Sequence, residues 1–243
     1  MTDYLTSLPR DLYTAADVRL LDKIAIEQFG IPGFTLMQTA ASIAFNKLME
    51  KWPQTRHVQV FAGSGNNAGD GYLLASLAKE QGLSTEVITL TDPEKLQGDA
   101  RLAAEWAGKQ QVLITPFSDF DVEHEKDHAH PVVVDALLGI GLDREVTGDY
   151  AKAIEFINSA DRPVLAIDIP SGLSADTGAR LGVAVIADVT VTFIGLKQGL
   201  LTNQAGDFVG ELIYHHLDVP DQVFTSESSP EPVAQRIDIN SIR

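Results

Sequence analysis

The sequence predicts an α/β fold: a Rossmann-like, doubly wound, mostly parallel sheet in three α/β/α layers, with extra helices at its N-terminal end. Three observations predict it. Short, continuously apolar runs such as VVVDALL and VLAID read as strands covered on both faces. These runs alternate with helical stretches, the pattern of a parallel sheet with crossover helices. Loops rich in Gly, Asn and Asp follow three of the strands, the place where open α/β sheets bind ligands.

Thr14 and Asp17 stand at capping-box spacing, with Asp in place of the usual Glu, ahead of an apolar stripe through Val18, Leu20, Leu21, Ile24, Ala25 and Phe29. Gly30 and Pro32 end this helix. A second helix is expected from Phe34 to Lys51, burying Leu36, Met37, Ala40, Ala41, Ala44, Phe45 and Leu48, with Pro53 as its stop. These two helices precede the first strand of a standard α/β start, so they pack on the sheet or supply a dimer surface. Strands are then predicted at His57–Ala62, Glu86–Leu90, Val112–Ile114, Val132–Asp135, Val164–Ile167, Val189–Phe193 and Glu211–Tyr214. Helices are expected between them at Tyr72–Gln81, Lys95–Ala107 and Tyr150–Ser159. Ser118 to His130 is acidic and polar and reads as a solvated excursion. The domain is expected to span residues 1–222, with 223–243 a flexible tail or the start of a linker to a possible second domain.

Composition narrows the function. The 243 residues are 44% hydrophobic and 21% charged, which suits one soluble domain and rules out general disorder. A formal net charge of −16 repels nucleic-acid phosphates and anionic lipid heads, so neither nucleic acid nor membrane is an expected partner. With no cysteine, disulfides, thiolate zinc sites and a thiol nucleophile are excluded. The opening MTDYLTSLPRDLYT has no basic start followed by an apolar run. The most apolar later stretch, Gly182 to Gly195, is interrupted by Asp188 and too short to span a bilayer, so the expected location is the cytoplasm.

Three loops carry the chemistry. GSGNNAGDG, Gly63 to Gly71, follows the first strand; its glycines permit close backbone approach and positive φ, and the next helix offers free N–H groups to an anion. Its G-x-G-x3-G spacing is one residue off the dinucleotide fingerprint, and no phosphate-loop Lys follows. The alternative is a plain turn in which Asp70 caps the helix. VVVDALLGIGL places Asp135 at the end of an apolar strand, before a turn opened by Gly139 and Gly141. An uncompensated carboxylate there is costly, so it serves a site or caps the next element. VLAIDIPSGL repeats the arrangement with Asp168, followed by Pro170, Ser171 and Gly172. A carboxylate half-withdrawn from water suits acid–base work. Ser171 has no His partner nearby and no G-x-S-x-G setting, which excludes a serine hydrolase. Asn67, Asp135 and Ser171 together offer hard oxygen ligands to a cation. His124-Glu-Lys-Asp-His128 matches the H-E-x-x-H pattern of zinc peptidases but lies in the acidic excursion rather than on an amphipathic helix, so it is read as coincidence. His215 and His216 follow a strand and read as structural.

Together, GSGNNAGDGY, VDALLGIGL, AIDIPSGLSADTG and VTFIGLKQGLLT, with LDKIAIEQFGIPGFTLMQTAA ahead of them, resemble the YjeF N-terminal family, the NAD(P)H-hydrate epimerases, over residues 15 to 217. That resemblance implies interconversion of the R and S epimers at C6 of hydrated NADH and NADPH (NADHX and NADPHX), so that an S-specific, ADP- or ATP-dependent dehydratase can restore the coenzyme. It implies nucleotide contacts by Asn66, Asn67, Ala68, Gly69 and Asp70, and by Gly139, Ile140, Gly141, Leu142, Asp143, Arg144 and Glu145. It implies a potassium ion held by Asn67, Asp135 and Ser171, and Asp168 at the reacting end as the substrate-binding, catalytic group. Lys197 is a second polar group near that end or an ordinary surface lysine. Ala68 and Gln38 stand where relatives carry Gly and Glu, and RIDINSIR resembles the opening of the dehydratase that many bacterial relatives carry in the same chain. A homodimer through the N-terminal helices is expected. Two other readings remain: a non-catalytic scaffold on the same fold, and a nucleotide-dependent oxidoreductase with Asp92 on the ribose. The four polar residues Asn67, Asp135, Asp168 and Ser171 favour catalysis over the first. The glycine spacing weighs against the second.

Overall fold

The structure, a computed structural model, describes residues 8–120 and 131–236. His124 and His128, and all of RIDINSIR after its first residue, lie outside the described residues.

A two-residue strand β1 (Asp11–Leu12) leads into α1 (Ala15–Glu27), whose capping box is formed: Thr14 Oγ1 accepts from Asp17 N–H while Asp17 accepts from Thr14 N–H. Helix α2 (Gly33–Lys51) follows, buried along Leu36, Met37, Ala40, Ala41, Ala44, Phe45 and Leu48. Both helices pack on the sheet: Leu21 of α1 and Leu48 of α2 are completely buried. Strand β2 (His57–Ala62), α3 (Asn66–Glu80), β3 (Ser84–Thr89), α4 (Gly98–Lys109), β4 (Leu113–Pro116), β5 (Val132–Ala136), α5 (Gly148–Ser159), β6 (Val164–Ile167), β7 (Val189–Phe193) and β8 (Glu211–His215) complete the core.

The seven strands pair in the order β4-β3-β2-β5-β6-β7-β8, all parallel. Alternate residues serve opposite faces. Val58, Val60, Val132, Val134 and Leu165 pack with α1 to α4, whereas Phe61, Val133 and Ala166 pack with Ala153, Ile154, Phe156 and Ile157 of α5. The chain reverses its winding between β2 and β5, so the loops after these neighbouring strands open a crevice at the sheet's carboxyl edge.

Helix α3 begins at Asn66, not at Tyr72 as the sequence pattern predicts. Gly69 and Gly71 are therefore helical, and neither takes a positive φ. Their role is close packing: a Cβ on Gly71 would lie 2.6 Å from Ala136 Cβ, and one on Gly69 2.6 Å from Met37 Sδ. Asp70 consequently sits inside the first turns of the helix and does not cap it.

Beyond Asp221, in the stretch read as tail or linker, the chain returns to its start. Val223 of α6 (Gln222–Thr225) is completely buried, Ser228 bonds Gln28, and β9 (Ala234–Gln235) pairs antiparallel with β1.

Candidate active site

The crevice is a cavity of about 680 Å³ at the carboxyl edge of the sheet, a size suited to a small-molecule ligand. Its floor comes from the turn after β2 and the first turns of α3 (Ser64, Gly65, Asn66, Asn67, Asp70). One wall is the loop after β5, from Leu137 to Arg144. The other is formed by α1 and α2, with Asp168, Phe193, Ile194 and Lys197 at the back. The reversal of winding thus brings two of the glycine-rich loops face to face.

Asp168 follows the last residue of β6 and takes φ +67°, a left-handed conformation that Asp tolerates better than most side chains. Its Oδ1 accepts from Lys197 Nζ, and from Thr192 Oγ1 and Phe193 N–H, both at 3.3 Å. Lys197 has no exposed surface; its ammonium also donates to Thr192 Oγ1 at 3.0 Å and Phe193 O at 2.9 Å. It is no surface lysine. A buried ammonium needs an anion and full hydrogen bonding, and this site supplies both. Ile194, at the turn between β7 and Lys197, is also left-handed at φ +58°, which is costly for a β-branched residue. Its amide donates to His215 O and its carbonyl accepts from Tyr214 Oη, which hold the turn in place.

Of the four further carboxylates that line the same cavity, Asp22, Asp70, Asp99 and Asp143, two are shifted by their surroundings. Asp70 is pushed well above its ordinary value because it is withdrawn from water and faces Asp168 and Asp22. Asp22, from α1, is raised to about 6, chiefly by burial, with Lys197 opposing.

A separate polar lock lies behind the β5 loop. Asp135 is fully buried and accepts from Ser171 N–H at 2.7 Å, Ser171 Oγ at 2.6 Å and Leu137 N–H at 3.2 Å. Burial still raises it to about 6. Ser171 Oγ also accepts from Leu138 N–H at 2.8 Å, and Asn67 Nδ2 donates to Leu138 O at 3.1 Å. Gly172 follows at φ +95°, where a Cβ would lie 2.0 Å from Val183 O, so the turn that presents Ser171 requires glycine. Asn67 Oδ1 is buried with no hydrogen-bond partner. Such an atom is costly unless something positive meets it. Asn67 and Ser171 converge on Leu138, and Ser171 carries Asp135 with it; this oxygen-rich set offers hard donors to a cation.

The profile of the family described as YjeF-related protein N-terminus matches residues 33–199, more than half of the chain and all three chemistry-bearing loops. This chain belongs to that YjeF-related family. Among relatives, a protein of Coxiella burnetii named bifunctional NAD(P)H-hydrate repair enzyme is 40% identical over 216 residues, covering 88% of this chain but 42% of the relative. One of Limosilactobacillus fermentum named NAD(P)H-hydrate epimerase is 37% identical over 200 residues, covering 82% of this chain and 93% of the relative. This chain thus spans less than half the length of the bifunctional relatives it matches. The crystal structure of yeast ynu0 has the same fold, with a TM-score of 0.77 over 92% of this chain and 95% of that one at 18% identity.

In this YjeF-related domain, Asn66, Asn67, Asp70, Gly139, Ile140, Gly141, Leu142, Asp143, Arg144 and Asp168 line the cavity. Ala68 and Gly69 turn inward into the packing of α3, Glu145 lies beyond the lining, and Asp135 and Ser171 stand behind the loop. Asp92 accepts from Glu94 N–H as the cap of a short turn and is not part of the lining. His215 Nδ1 accepts from Leu217 N–H, a structural bond. Sequence reasoning missed Asp22, which lies upstream of the family match. Its signal was its place four residues after Val18 and three before Ala25, on the helix's buried face.

Proposed function

We propose that this domain is an NAD(P)H-hydrate epimerase, interconverting the R and S forms of NADHX and NADPHX at C6 so that an S-specific dehydratase can restore the coenzyme. The observation that carries the reading is the Asp168–Lys197 ion pair at the back of a crevice of about 680 Å³, in a chain whose relatives bear that name. The main-chain donors at the start of α3 suit the anionic pyrophosphate without a basic patch. Asn66, Asn67 and Asp70, with the loop from Gly139 to Arg144, are the nucleotide contacts in this reading.

The chemistry asked of the site is modest. The C6–O bond breaks as the N1 lone pair forms a C6=N1 double bond, and the departing oxygen takes a proton and leaves as water. Water then adds to the opposite face of C6, the π pair returns to N1, and the proton is given back. Asp168 moves that proton, and Lys197 fixes the carboxylate in place.

Asn67, Asp135 and Ser171 would hold potassium, the orphaned Asn67 Oδ1 supplying the motive. The ion would supply positive charge that steadies the β5 loop against the anionic nucleotide. The same reading takes residues 1–222 as the catalytic domain, the dehydratase as its functional partner, separate or in one longer chain, and a homodimer through the N-terminal helices in the cytoplasm. Among the described residues no helix is long and apolar enough to cross a membrane.

Purified (R)-NADHX incubated with the protein alone, followed by chromatographic separation of the epimers, tests the reading. A rise in the S form far faster than the spontaneous rate supports it; an R:S ratio that changes only at the spontaneous rate overturns it.

A further inference from the structure

The epimerase reading needs a proton at the start of the reaction, because oxygen leaves C6 as water and not as hydroxide. Asp168 Oδ1 is already an acceptor for three donors, Lys197 Nζ among them. The cavity, however, holds four further carboxylates that no ion pair claims among the described residues, Asp22 from α1, Asp70 from α3, Asp99 from α4 and Asp143 from the β5 loop; of these, Asp22 and Asp70 feel the charges of Asp168 and Lys197. We infer that Asp70 is the proton store of the site and that Asp22 is its positioning residue, holding the proton on Asp70 by its charge.

Geometry and charge carry the inference, which rests on the epimerase reading. Three carboxylates, Asp22, Asp70 and Asp168, share one cavity with one buried ammonium, Lys197. The other charged groups of the lining are Arg19 on α1, which donates to Ile140 O, Asp99 at the start of α4, and Asp143 and Arg144 of the β5 loop. Helix α2 contributes only apolar side chains there. An anionic dinucleotide entering a pocket with this surplus of carboxylates is repelled unless one of them is neutral. Asp70 is pushed toward its neutral form by withdrawal from water and by the charges of Asp168 and Asp22, with Lys197 opposing.

The step balances. The Asp70 carboxyl gives its proton by way of Asp168 to the C6 oxygen, the C6–O bond breaks and the N1 pair forms C6=N1. Water then adds to the other face, the pair returns to N1, and the proton released by that water goes back through Asp168 to Asp70. No oxidant or co-reactant is consumed. Asp22 takes no proton from the substrate in this scheme; it acts through Asp70.

Epimerisation of (R)-NADHX by the whole chain across a pH series, with NADH as a non-reacting binding probe, tests the inference. Asp70→Asn reproduces the shape of the neutral carboxyl. It should therefore fold and bind NADH within about threefold of the parent, while turnover falls at least ~100-fold, the scale of a lost acid–base group. Asp22→Asn should shift the alkaline limb of the kcat profile down by about one pH unit with KM little changed, and Asp22→Glu should restore it. Parent-like turnover in Asp70→Asn, or loss of NADH binding in step with activity, overturns the inference. So does an unshifted profile in both Asp22 variants. A parent protein that does not epimerise (R)-NADHX at any pH overturns instead the reading beneath it.

Discussion

Lys197 and Asp168 are joined between two left-handed backbone positions: the ammonium, with no exposed surface, meets a carboxylate borne at φ +67°, and Ile194 turns at φ +58° three residues before the lysine. The pair comes from the ends of neighbouring strands, β6 and β7, so the sheet sets its spacing and the two strained turns set its direction. Strain of this kind persists where surrounding contacts over-determine it, and it gathers at functional sites.

Asp168→Asn should therefore keep its fold, since Asn also accepts the left-handed region, and should slow epimerisation at least ~100-fold. Lys197→Met should do more damage to stability, costing about 3 kcal/mol, because it leaves Asp168 facing two other carboxylates without its cation. Denaturant titrations of both single variants and the double variant should show strong coupling, the double variant being more stable than additivity predicts. Additive losses would mean that the pair is incidental.

Gly71 tests the packing role of the helical glycines. A Cβ there meets Ala136 and Val60 at 2.6 and 3.0 Å, so Gly71→Ala should cost about 1–3 kcal/mol by overpacking. Gly108, also helical but with nothing within 4 Å, is the control. Gly108→Ala should be neutral or stabilising by about 0.5–1 kcal/mol. Equal effects at the two sites would show that loop-like flexibility, not close approach, is what position 71 needs.

Stability should depend on pH in the acid range. Asp22 and Asp135 titrate near 6 in the folded protein, above the ordinary 3.8, so between these values the folded state binds more protons than the unfolded one. The stabilisation these groups lend is whole below about pH 4 and is lost as pH rises through about 6. Asp22→Asn should flatten that part of the stability profile in urea melts at successive pH values. An unchanged slope would mean that Asp22 is better hydrated than its place in the cavity indicates.

Replacing potassium with a large organic cation should lower the melting temperature or weaken nucleotide binding, since ion binding to the folded state adds stability by mass action. Asn67→Leu, which removes the orphaned oxygen, should abolish the difference between the two salts. Indifference of the parent protein to the exchange would remove the ion from the account.

Much of this was legible in the sequence. Strands β2, β6 and β7 fall on the predicted limits because each is a short run rich in β-branched and other apolar residues bounded by turn residues. The first six residues of α3 were not legible as helix. Asn, Gly and Asp are poor helix formers, and the segment is helical because α2, α4 and β5 pack against it closely enough to require glycine. Asp168 was readable as a polar residue at the end of a buried strand. Its partner, Lys197, was readable only as one of two alternatives, because a lysine between Gly195 and Gly199 carries no sign of which way the turn will face it. Asp22 was hidden for a different reason: one acid on an amphipathic helix reads as a boundary position, and only the fold shows that it borders the crevice.

One coupled assay reads the activity of the crevice itself. A mixture of R and S hydrates of NADH is offered to an S-specific dehydratase with its nucleotide, with and without this protein. The dehydratase alone should restore only the S portion promptly, and adding this protein should bring the R portion to completion, while Asp168→Asn should not. An R portion that remains at its spontaneous rate of loss with the parent protein present would contradict the epimerase reading.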